Sequence, residues 1–129
     1  MSRWALAYPD SRSRARRALF LLNAAGAVAA GVFAGIGAAR PSSVHGGTTS
    51  SPPAEFWAAS SAVRTWAVTV PLLAALAQQG RPAPQLLVVA GLIQLGDSAL
   101  GAWQRKPDMT VAPAVMGLIH LAGARVLSR

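Results

Sequence analysis

The chain has 129 residues, of which 53% are hydrophobic and only 12% charged, about half the charged share of an ordinary soluble domain. With no cysteine, it has no disulfides, thiolate catalysis or cysteine-ligated metals. The formal charge of +8 could suggest nucleic acid, but no aromatic-interleaved basic face accompanies it, and nucleic acid is not expected as a partner.

The arginines Arg3, Arg12, Arg14, Arg16 and Arg17 crowd ahead of the first apolar stretch, where positive charge holds a segment in the cytoplasm. Residues 1–17 thus read as a basic cytoplasmic segment, with 11–17 either a short interfacial turn of helix or unstructured. Residues 18–39 then run uncharged. Gly37–Ala39 imitates a signal cleavage site, but the apolar run exceeds the usual signal core of about 7–15 residues, and an uncleaved first helix is expected. Gly31 and Gly35 are four apart on it, a spacing that lets a neighbouring helix approach closely. Packing inside the bundle is the expected use. Asn23, near the cytoplasmic end, is expected to cap or cross-link helices.

Pro41–Pro53 is rich in Gly, Ser, Thr and Pro and reads as a polar loop, with His45 an ordinary loop histidine. Glu55, Phe56 and Trp57 mark the start of a second span, residues 56–78, interrupted by Arg64 and carrying Pro71, which should kink it. A third span covers 85–103 and holds Asp97; a fourth covers 109–127 and holds His120. Each is close to the roughly 20 residues needed to cross about 30 Å of hydrocarbon. The connections Gln79–Pro84 and Gln104–Pro107 are short and force antiparallel neighbours. The expectation is an all-α, integral membrane four-helix bundle, antiparallel with short loops, occupying residues 18–127. Four crossings from a cytoplasmic N-terminus return the C-terminus to the cytoplasm of a multi-pass cell-membrane protein. Arg105 and Lys106, on the opposite side, fit the charge bias least well.

Arg64, Asp97 and His120 each stand alone in a different apolar stretch. A charge in hydrocarbon costs on the order of 3 kcal/mol even by lenient scales, so such groups must meet one another or line a wet cavity. Helical rise puts Arg64 about 10 Å from Trp57 and Asp97 about 9 Å from Trp103, depths that suit an ion pair. His120 is about 16 Å from Met109, a little over one turn deeper, with Gln94 between the levels. Gln94, Asp97, Ser98 and Gly101 share one helical stripe; Pro113, Met116, Gly117, His120 and Ala124 share another. Asp97 and His120 are the candidate catalytic groups, and Arg64, Asp97 and Gln94 a binding group or structural ion pair.

Gly96-Asp97-Ser98-Ala99-Leu100 imitates the nucleophile block of GDSL hydrolases, but it lies inside an apolar helix, and Gly117 stands three residues before His120 where that family needs aspartate. No His/Asp/Glu cluster has metal spacing and no phosphate-cradling turn occurs, so no metal or cofactor is expected. Small multidrug-type proton exchangers also span four times, but they depend on an acidic residue in the first helix, which is missing here.

Arginine in the second helix, the Gly96-Asp97 pair in the third and His120 in the fourth resemble the DoxX-like small four-helix membrane proteins, over roughly residues 18–127. The resemblance implies a four-helix membrane bundle without a settled activity. Two functions are open. One is a non-catalytic membrane subunit or lipid-associated component with a buried, architectural Arg/Asp/His cluster; its partners would be the lipid bilayer and a membrane protein or lipophilic small molecule. The other is a membrane-embedded acid–base enzyme, of isomerase or cyclase type, acting on a lipophilic substrate. There Asp97 or His120 would carry the proton, and Arg64 would hold an oxygen or tune Asp97.

Overall fold

The computed structural model describes residues 11–42 and 51–128. Arg3, His45 and the centre of the Pro41–Pro53 loop lie outside the described residues. The described chain forms four helices: α1 (Ser11–Ala39), α2 (Pro52–Ala77), α3 (Ala83–Trp103) and α4 (Pro107–Leu127). All four are long and apolar enough to cross a membrane. The all-α four-helix bundle is therefore the fold. Its outward faces are apolar, with Val32, Phe33, Val63, Leu92 and Leu118 among the exposed side chains, the surface a protein presents to hydrocarbon and not to water.

Helix boundaries follow local chemistry. The first helix begins at Ser11, ahead of the apolar run, so residues 11–17 are its first turns. Proline stands in the first two positions of α2, α3 and α4, where its missing N–H removes no intrahelical bond. The second helix begins at Pro52, which places Glu55 in its first turn against the positive end of the helix dipole. It continues through Pro71 to Ala77.

Both tight connections end their helices in the same way. After α2, the Gly80 N–H bonds the Ala75 carbonyl at 2.8 Å and the Gln79 N–H bonds that of Leu76 at 3.1 Å, with Gln79 left-handed at φ 48°. After α3, Lys106 bonds Gly101 at 2.9 Å and Arg105 bonds Ala102 at 3.1 Å, with Arg105 at φ 57°. These are Schellman closures that satisfy carbonyls otherwise left bare at a helix end.

The helices contact in a ring, α1 to α2 to α3 to α4 and back to α1, with no diagonal contacts among the described residues. The ring is uneven: α3 packs tightly on α4 and α1 on α2, while the two pairs meet each other more loosely. Small residues explain the tight pairs. A Cβ on Gly91 would lie 3.1 Å from the Gly117 carbonyl, and one on Gly117 would lie 3.1 Å from that of Gly91, so the α3 and α4 backbones meet there. Gly31 and Gly35 of α1 receive the Trp66 ring of α2, whose Nε1 donates to the Gly31 carbonyl at 2.9 Å. The glycine spacing in α1 serves packing within the bundle. Buried Ala27, Leu72, Ala75, Leu76, Ala83, Leu87, Ala90 and Ala124 form one apolar core, weighted toward the arginine-rich end.

Candidate functional site

Each loose seam between the helix pairs is bridged by polar side chains. Across the α2–α3 seam, Arg64 Nη2 donates to both carboxylate oxygens of Asp97, at 3.0 and 3.3 Å. Across the α1–α4 seam, His120 Nδ1 meets Asn23 Oδ1 at 2.7 Å. Asn23 Nδ2 donates to the Ile119 carbonyl of α4 at 3.4 Å, a second bond across this seam, and to the Leu19 carbonyl of its own helix at 2.7 Å. With that amide nitrogen aimed at carbonyls, Oδ1 is the acceptor and Nδ1 of His120 carries the proton. Among the described residues, Nε2 of His120 has no hydrogen-bond partner.

Between the two seams lies an open cavity of about 660 Å³ lined by all four helices. Its walls are mostly apolar, with Phe33, Trp57, Leu72, Ile93 and Leu100 among them, and Arg64, Gln94, Asp97 and His120 also line it. The four sequence-selected residues thus converge on one space. They do not form one contact cluster: Arg64 pairs with Asp97, while His120 pairs with Asn23.

The expected burial of the whole Arg/Asp/His cluster is corrected in part. His120 and Asn23 are 2% and 0% exposed, whereas the Arg64 and Asp97 side chains keep 48% and 36% of their surface open. The α2–α3 seam is loosely packed, and the ion pair that crosses it stays part-open. Asn23 is the residue that sequence reasoning placed outside the constellation. Its signal was a lone amide in an uncharged helix, a group that hydrocarbon forces into partnership.

The shared stripe on α3 also divides. Gln94 and Asp97 face the cavity, while Ser98 and Gly101 face α4. Ser98 is buried and donates to the Thr110 carbonyl at 2.7 Å, and a Cβ on Gly101 would crowd the Met109 backbone. The hydroxyl of the imitation hydrolase block is therefore engaged in joining α3 to α4. On α4, Met116 packs toward Gly26 of α1 and Gly117 toward α3. Among the described residues no group of three or more His, Asp or Glu side chains is placed to hold a metal ion.

Chemically, the site offers an apolar chamber with a neutralised ion pair, an amide at Gln94 and an oriented imidazole nitrogen. No family model, no curated protein and no solved structure matches this chain.

Proposed function

We propose that this chain is a DoxX-like, non-catalytic, lipid-associated protein of the cell membrane whose central cavity holds a lipophilic molecule with a polar head. The observation that carries this reading is the cavity of about 660 Å³, apolar over most of its wall with Arg64, Gln94, Asp97 and His120 along it. Its volume falls in the ordinary range of small-molecule sites, about 300–1,000 Å³. A few polar groups on an apolar wall orient a ligand, while the apolar remainder supplies most of the affinity.

Binding is favoured over acid–base catalysis because the candidate acid and base are engaged apart. Asp97 is held by Arg64, and His120 is held by Asn23. The enzyme reading keeps one specific support, the fixed imidazole whose Nε2 has no partner among the described residues, an arrangement that orients a proton-transferring histidine.

The deciding experiment extracts the full-length protein in mild detergent and identifies retained lipophiles by mass spectrometry. Wild type should retain a compound enriched over bulk lipid, and Ala58→Phe, which fills the chamber wall, should lose at least about 90% of it. Retention of bulk lipid alone would refute the binding reading. Membranes carrying wild type, Asp97→Asn or His120→Ala should give identical product profiles with lipophilic extracts. A product missing from His120→Ala would replace binding by catalysis.

The orientation forms part of the proposal: both termini cytoplasmic, supported by the arginines ahead of the first apolar run together with Arg81 and Arg125. Reporter fusions at Arg129 and within the Pro41–Pro53 loop should read opposite sides; the same side for both would refute it.

A further inference from the structure

A second cavity, of about 440 Å³, lies at the arginine-rich end, among the first turns of α1, the α2–α3 connection and the end of α4. Arg16 and Arg17 line it beside Phe20, Leu76 and Leu127, with Gln79 and Gly80 of the connection completing the wall. Arg16 and Phe20 are one helical turn apart, so the guanidinium and the ring share one face of α1. Neither arginine makes a hydrogen bond or ion pair among the described residues. The three carboxylate side chains of the described residues are elsewhere: Glu55 and Asp108 begin α2 and α4 at the opposite end, and Asp97 is paired with Arg64. The site is also separate from the central chamber, since the two cavities share no lining residue.

We infer that this cavity is a binding site for the headgroup of an anionic phospholipid. Guanidinium groups suit phosphate because their N–H donors match its oxygens in pairs. Two such groups without carboxylate partners among the described residues leave positive charge for which the membrane surface supplies the complement. The apolar floor selects a lipid over a free anion. Inorganic phosphate gains nothing from Phe20, Leu76 and Leu127, whereas a phospholipid lays its first chain carbons against them. The inference does not rest on the central chamber's function.

The test adds phosphatidylglycerol or phosphatidylcholine to the full-length protein in detergent and counts bound lipid by native mass spectrometry. Wild type should prefer phosphatidylglycerol by at least about tenfold, given the attraction expected for two arginines at a membrane surface. Arg16→Gln with Arg17→Gln should abolish the preference. Arg14→Gln with Arg81→Gln, which removes the same charge outside the cavity, should keep it within about twofold. Leu127→Glu, which places a carboxylate in the cavity without touching the arginines, should also abolish it. Equal loss in both arginine pairs, or an undiminished preference in Leu127→Glu, would overturn the site in favour of diffuse surface charge. Displacement of the lipid by equimolar inorganic phosphate would overturn the lipid assignment. Retention of a lipophile in the central chamber should be unchanged in all these variants, so failure here and failure of the proposed function are told apart.

Discussion

Asn23 and His120, 97 positions apart in the chain, meet through a 2.7 Å hydrogen bond inside the bundle. The contact joins the α1–α2 pair to the α3–α4 pair on one side, as Arg64 and Asp97 join them on the other. The helix pairs pack well internally and weakly against each other, so these two links hold the walls of the central chamber in register. Each can be tested by removing its partners singly and together.

In the Asn23–His120 link, Asn23→Ala removes the acceptor of His120 Nδ1 and the donor to two carbonyls. A double-mutant cycle of Asn23→Ala with His120→Ala should give a coupling of about 1 kcal/mol, inside the range measured between membrane helices. Reversible unfolding in mixed micelles checks it, and strict additivity would show that the bond contributes nothing.

For the ion pair, Arg64→Leu or Asp97→Leu alone should destabilise more than the two together. A single substitution leaves one charge without its partner beside the mostly apolar cavity; with both side chains part-exposed, the cost is about 1 kcal/mol. The double variant leaves none. The same unfolding measurement decides, and a double variant less stable than either single one would contradict the pairing.

Gly123→Ala should destabilise by about 1–3 kcal/mol, because its Cβ would enter the space of the Asn23 amide. Gly96→Ala is the matched control: nothing lies within 4 Å of its Cβ, so the gain in helix propensity, about 1 kcal/mol, should be all that remains. Thermal melts of the two variants should move in opposite directions.

The connection after α3 carries Arg105 at φ 57°, a left-handed conformation that costs a non-glycine residue about 1–2 kcal/mol. Arg105→Gly should therefore stabilise the bundle by up to about 1 kcal/mol, after the entropy that glycine adds to the unfolded chain. A fall in the melting temperature would mean that the arginine side chain contributes more than the strain removes.

The hairpin after α3 also marks a limit of sequence reading. Gln104–Pro107 is legible as a short connection because proline ends one helical pattern and starts the next. That Arg105 takes the left-handed position is not legible, since glycine is the usual sign of it and the nearest one, Gly101, serves instead to admit the Met109 backbone. Likewise, the Gln94 to Gly101 stripe is visible as a period, but periodicity cannot tell which neighbour each part of a stripe faces. Ser98 and Gly101 meet α4, and Asp97 meets Arg64.

What the sequence determined by itself is the set of spans and the need for polar partnership within them. Apolar runs of about 20 residues can satisfy their backbone in hydrocarbon only as helices, and lone ionisable groups there must find one another or water. Depth along the helix axis then fixed the Arg64–Asp97 match, because helical rise is constant. The tertiary structure alone decided rotation and spacing between helices: that His120 turns to Asn23 and not to Asp97, and that one seam stays open enough to leave the ion pair exposed. Those outcomes depend on which small residues let which backbones approach, Gly91 against Gly117 and Gly31 and Gly35 against Trp66. Such fits are properties of pairs of surfaces, and neither surface of a pair carries them in its own sequence.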